Sequence, residues 1–231
     1  MKLRANSHRG FTFVELLVVI FLLVILAGIT IPDGGGVKRI AVQTKALQQA
    51  KQIALGCKLF AGDHDGRYSS NLLDENGEVT ATPPSSSNAA LAQLIPDYIP
   101  DEEMFWLPQD EVYCNASEPD NKAPWLGAGE NHWGYVLNLT EKSDPRFPLV
   151  ADGAALGGTH YSADQNAAGG TWKGKKAIVI RVDGSGAVEL VDKKTLTIPG
   201  PTADIPNLLQ SDQKNWLKAN NLFLNPLPKA F

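Results

Sequence analysis

The residues able to do chemistry are few and scattered. Four histidines, His8, His64, His132 and His160, show none of the spacings of a zinc site such as H-E-x-x-H. There is no G-x-S-x-G nucleophile elbow and no phosphate-binding glycine loop. Asp152 and Asp183 each precede glycine, which reads as turn chemistry. His160 and Asp164 are close enough in sequence for an acid–base pair, but solvated loop polars read the same way. In "GDHDG", Asp63, Asp65 and Gly66 place oxygen ligands at alternate positions, as a calcium loop does, although position twelve holds Asp74 in place of glutamate. The same residues also spell a helix-terminating turn. Cys57 and Cys114 are the two cysteines, enough for one bridge in an oxidising compartment or for two free thiols. The least ordinary group is Glu15, a carboxylate inside the most apolar run of the chain.

That run, Phe11–Ile31, carries no other charge. As a helix it is about 30 Å long, the thickness of a bilayer core. The basic segment before it, with Lys2, Arg4 and Arg9, predicts a cytoplasmic N-terminus and an outward body. An ordinary secretory signal has a shorter apolar core and a small-x-small cleavage site, which "ILAGITIP" supplies poorly. A plain anchor fits the length but leaves Glu15 without a partner in hydrocarbon, where a central carboxylate costs roughly 2.5–3.5 kcal/mol.

The 231 residues suffice for one anchor and one domain of ordinary size. Hydrophobic residues are 43% and charged residues 20%, a globular balance. Net charge is -4, and the three basic residues of the leader make the body more acidic still, so no nucleic-acid partner is expected.

The elements follow from punctuation and period. "DGGG", Asp33–Gly36, opposes helix continuation and predicts a Pro/Gly hinge over 32–36. An amphipathic helix is expected over 37–61, with Ile40, Leu47, Ala50, Ala54, Cys57 and Ala61 on one face and Gly62 and Gly66 at its end. A head over 62–198 contains a short helix "NAALAQLI", capped by Ser87 or Asn88. Strands are expected in "HWGYVLNL" and "FPLVADG", and a hairpin in Ala177–Val182 and Ala187–Val191 around "DGSG". The Pro-rich extension 199–231 predicts a helix "SDQKNWLKANN", opened by Ser211 and docked through Trp216, Leu217 and Phe223. The fold class is therefore α+β.

"RGFTFVELLVVIFLLVILAGITIP" resembles the N-terminus of type IV pilins and type II secretion pseudopilins. The resemblance implies a leader, 1–10, cut by prepilin peptidase between Gly10 and Phe11, with Phe11 then methylated. It implies that Glu15 pairs with the N-terminal amine of a neighbouring copy, and that Pro32 falls at the family's proline position. It also implies a long N-terminal helix packed on a small antiparallel head, in a bitopic inner-membrane precursor. The implied partners are prepilin peptidase, other copies of the chain and the inner-membrane platform of a secretion or pilus machine. "LFAGDHDGRYSSNL" and the segment 135–191 resemble pseudopilin-like proteins of Verrucomicrobia and Planctomycetes. Some of those carry a histidine ten residues before the Asp-Gly of the hairpin, where this chain has Lys173 before Asp183-Gly184. The function implied is that of a structural fibre subunit rather than an enzyme. The rivals are a surface pilin for adhesion or DNA uptake, and a tethered domain binding ligands through Trp106, Trp125, Trp133 and Trp172.

Overall fold

The computed structural model describes residues 11–29, 34–69, 84–115, 119, 126–213 and 216–229, with the backbone alone at 26–29 and 34–37. The chain divides into two compact units, 1–44 and 45–231.

In the first unit, helix α1 spans Phe13–Ile29. Its described side chains, Phe13 to Ile25, are all exposed, Phe13 at 78%. Among the described residues no helix is long and apolar enough to cross a membrane. The end of the apolar run, Thr30 and Ile31, and Pro32 after it lie outside the described residues. Helix α2 spans Gly34–Asp63. Of the hinge expected over 32–36, Gly34–Gly36 are corrected, since they form the first turn of α2, while Pro32 and Asp33 lie outside the described residues. Glycine costs most in a helix interior, and the first turn has no intrahelical N–H bonds to lose.

In the second unit, α2 from Lys45 onward buries Ala46, Ala50, Ile53, Ala54, Cys57, Phe60 and Ala61. Steps of three and four put these on one face. Four of the seven are alanine, which lets the helix axis lie close to what it covers. Ile40, expected on this face, belongs to the first unit and is 66% exposed. The helix stops where Asp65 and Gly66 turn left-handed, φ 54° and 76°, and Gly66 N–H donates to Ala61 O at 2.8 Å.

The head is built on one antiparallel sheet. Strands β1 (Trp133–Val136), β2 (Pro148–Asp152), β3 (Lys176–Arg181), β4 (Gly186–Leu190) and β5 (Phe223–Leu224) lie in the order β4-β3-β2-β1-β5. The β3–β4 hairpin matches its expected position. Gly184 supplies the positive φ of the turn, 84°, and Ser185 N–H donates to Asp183 Oδ1 at 2.7 Å. Strands β1 and β2 are buried throughout, which is why they read as apolar runs and not as alternating strands. Helix α3 (Ser87–Leu91) is capped by Ser86, whose hydroxyl accepts from Ala89 N–H at 3.4 Å. Asn88, a candidate cap by sequence, instead donates to Gly127 O at 2.6 Å and accepts from Leu227 N–H at 2.9 Å.

The tail differs most from expectation. No helix forms among the described residues after 210; residues 214–215 lie outside them. Asp212 is left-handed, φ 59°, and its N–H closes a turn on Leu217 O. Asn221 donates to both Leu137 O and Asn138 O at 3.0 Å. Side-chain bonds of this kind compete with the helix ladder, and pairing with β1 completes the sheet edge instead. Trp216 and Leu217 are buried as expected. Phe223 enters β5 opposite Val136 and lies over Gly134, where a Cβ would overlap its ring. Beyond it, Asn225 holds Ala154 N–H, Ala155 O and Gly158 O, and Lys229 N–H reaches Val112 O. The last ten described residues therefore tie together β1, the 154–158 loop, Val112, Gly129 and the start of α3.

Gly134→Val should lower stability by about 1–3 kcal/mol through overlap with Phe223. Deletion of 222–231 should abolish cooperative melting followed by circular dichroism. Full retention of the melting transition in the deletion would contradict the closing role of the tail.

Candidate functional site

The N-terminal candidates sit at the start of α1. Thr12 is its N-cap and Glu15 its third residue. Thr12 N–H and Thr12 Oγ1 both donate to Glu15 Oε2 at 2.8 Å, while Glu15 N–H donates to Thr12 Oγ1 at 3.3 Å. This reciprocal pair is a capping box. It satisfies two N–H groups that the helix start leaves open. The signal, T-F-V-E, stands in the sequence, yet the apolar run alone drew attention to Glu15. Among the described residues the bonds to Glu15 are made at Oε2. Phe11 is 72% exposed, and Gly10 lies outside the described residues.

The remaining candidates do not assemble. Asp63 accepts from Tyr98 O–H at 2.9 Å, and Asp65 and Gly66 form the turn that ends α2. Asp74 lies outside the described residues, within which no group of three or more His, Cys, Asp or Glu is set to hold a metal. The bridge left open by sequence is not formed. Cys57 and Cys114 are free and buried. Cys57 lies on the inner face of α2, where burial pushes its thiol up to about 12. Cys114 Sγ accepts from Leu107 N–H at 3.3 Å in a separate turn. Of the tryptophans that the rival ligand-binding reading would use, Trp106 and Trp133 are buried as core residues, Trp172 is half-buried, and Trp125 lies outside the described residues.

The structure reveals a charged cluster that sequence reading passed over. His132 precedes β1, Asp152 ends β2, and Asp110 lies in a turn before both. The register pairs Trp133 with Asp152, which brings His132 alongside. His132 Nδ1 lies 2.6 Å from Asp110 Oδ2 and Nε2 lies 2.7 Å from Asp152 Oδ1, with the ring 0% exposed. Asp110 also accepts from Val112 N–H, Tyr113 N–H and Thr171 O–H at 3.1, 2.9 and 3.2 Å. Asp152 Oδ2 accepts from the Trp172 indole N–H at 2.7 Å and from Ile178 N–H at 2.6 Å.

Burial alone would lower the His132 pKa. The hydrogen bonds and charges of Asp110 and Asp152 outweigh it and hold the ring up at about 9. Burial would likewise raise Asp110, but His132 and the two backbone N–H groups keep its carboxyl below the usual range. Both ring nitrogens are therefore protonated donors between two carboxylates. The net negative charge is spread over five further donors. No atom of the His132 ring is exposed. The cluster clamps the Asp110 turn and the Thr171–Trp172 loop to the sheet.

His132→Ala should cost about 3–5 kcal/mol, the penalty of breaking a buried charged network. The pH dependence follows from the raised histidine pKa. Its stabilisation is complete below about 6.5 and should be lost as pH rises towards about 9. Asp110, held low, contributes above its unfolded value and loses that contribution as pH falls through the lowered one. Denaturant midpoints should thus decline from pH 6.5 to 9 in the wild type. An equally steep decline in His132→Gln would assign it to other groups.

Residues 5–31 match the family described as the prokaryotic N-terminal methylation motif. No curated protein and no solved structure matches the chain. The matched segment contains Gly10, Phe11, Thr12 and Glu15 and covers all of α1. The head shows an α+β arrangement of helix and antiparallel sheet. The chain therefore carries at its N-terminus the hallmark of the type IV pilin and pseudopilin prepilin-type cleavage domain.

Proposed function

We propose that the protein is a structural fibre subunit, a pseudopilin of a type II secretion system or a related type IV pilus-like machine, and not an enzyme. In this reading prepilin peptidase removes residues 1–10 and leaves Phe11 as the methylated N-terminus. The precursor waits in the inner membrane with the apolar run 11–31 in the bilayer, a cytoplasmic N-terminus and a periplasmic head. The subunit then polymerises with its copies on the platform of that machine.

One observation carries the reading. The methylation motif coincides with a helix whose apolar side chains, from Phe13 to Ile25, are exposed. So large an apolar surface requires either lipid or other copies of the same helix. The capping box refines the role of Glu15. Its Oε2 is held by Thr12, which fixes the carboxylate at the helix start and leaves Oε1 to meet a neighbour's Phe11 amine. A preset acceptor of this kind favours assembly in one register.

Two substitutions separate the charge from the cap. Glu15→Gln keeps the capping box, since glutamine serves at that position, but removes the charge. Glu15→Ala removes both. Cleavage by the peptidase should proceed in each variant, while cross-linked polymer should fall about tenfold or more in both. Wild-type assembly of Glu15→Gln beside failure of Glu15→Ala would leave Glu15 as a helix cap alone.

A further inference from the structure

A concavity of about 210 Å³ opens on the head between the β3–β4 hairpin and the Pro-rich tail. Arg146 and Arg181 reach it from different segments, and Pro199, Pro201, Leu208 and Trp216 wall it. We propose that it binds a single carboxylate carried on one six-membered ring, with the carboxylate on the two guanidinium groups and the ring against the proline and indole walls.

Charge comes first. The lining holds Arg146, Arg181 and Glu189, and since Asp144 beside Arg146 balances the second cation, it is the arginines' spare donors that would hold an anion. Each arginine is oriented by a carboxylate of the chain and keeps donors to spare. Arg146 gives Nε and Nη2 to Asp144 at 3.0 and 2.7 Å. Arg181 gives Nη2 to Glu189. Among the described residues no acceptor takes Arg146 Nη1, Arg181 Nε or Arg181 Nη1. Guanidinium is the side chain best shaped for a carboxylate, and one fixed beforehand loses less freedom on binding.

The walls are equally set. The Trp216 indole N–H is committed to Leu208 O at 2.9 Å, so its ring offers only carbon, and Phe147 holds it edge-on at 4.9 Å. Gly200 N–H closes the proline loop on Ile205 O at 2.8 Å, and Leu208 N–H is tied to Ile198 O at 2.7 Å. The volume lies below the roughly 300–1,000 Å³ of sites for drug-sized ligands, which limits the guest to one ring.

The test is isothermal titration of the full-length protein in detergent. The probes are glucuronate, benzoate and cyclohexanecarboxylate, each beside its neutral counterpart, glucose, benzyl alcohol or cyclohexanemethanol. At least one ring carboxylate should bind saturably at one site, about tenfold or more tighter than its neutral partner. Preference for glucuronate would identify an acidic sugar, and preference for the others an apolar acid; either supports the site. Arg146→Gln, at a side chain 61% exposed, should weaken binding about tenfold without shifting the melting temperature. Arg181→Gln should weaken binding to a similar degree. Absence of saturable binding by all three acids, equal affinity for the neutral partner, or unchanged affinity in Arg146→Gln would overturn the proposal.

Discussion

The sandwich of His132 between Asp110 and Asp152 is the interaction on which the head depends. Between α3 and β1 the described chain has almost no regular structure, only short helical turns such as Glu102–Phe105. Irregular backbone in a buried place needs side chains to satisfy it. The charged cluster does this from within. It fixes the Asp110 turn through Val112 and Tyr113, and the Thr171–Trp172 loop through one hydroxyl and one indole. Asparagines repeat the device with neutral groups. Asn131 joins Ser87, Asn88 and Trp133, and Asn225 bridges the tail to the 154–158 loop. Among the described residues the sheet has five strands, and amides and carboxylates hold the irregular segments packed beside it.

The two units follow opposite rules. The head hides most of its apolar side chains and pairs most of its buried polar ones. The N-terminal helix shows its apolar side chains to whatever surrounds it and keeps one carboxylate at its first turn. The Thr12–Glu15 box joins these facts. A carboxylate that caps its own helix is ordered before any partner arrives, which suits the pairing proposed for it above.

Much of this was legible in the sequence, for local reasons. The hairpin around Asp183-Gly184 could be read because its turn chemistry and strand propensities lie within a few residues. The face of α2 could be read because Ala50, Ala54, Cys57 and Ala61 keep the helical period. The processing motif is equally contiguous. The His132 cluster could not be read, because its members are about twenty residues apart and meet only through the β1–β2 register. Asp152 looked like a turn residue, and it does precede a turn, but its side chain points into the core. The tail misled for a related reason. Its polar residues suit a helix weakly, and the long-range pairing of Phe223 and Leu224 with β1 overrides that preference.

The account rests most on the claim that this N-terminus is processed as a prepilin. Intact mass with N-terminal sequencing of the protein from membranes of its native host tests this most directly. The account predicts a chain that begins at Phe11 and carries one added methyl group. A chain that retains Met1, or that begins beyond Ala27, would contradict it.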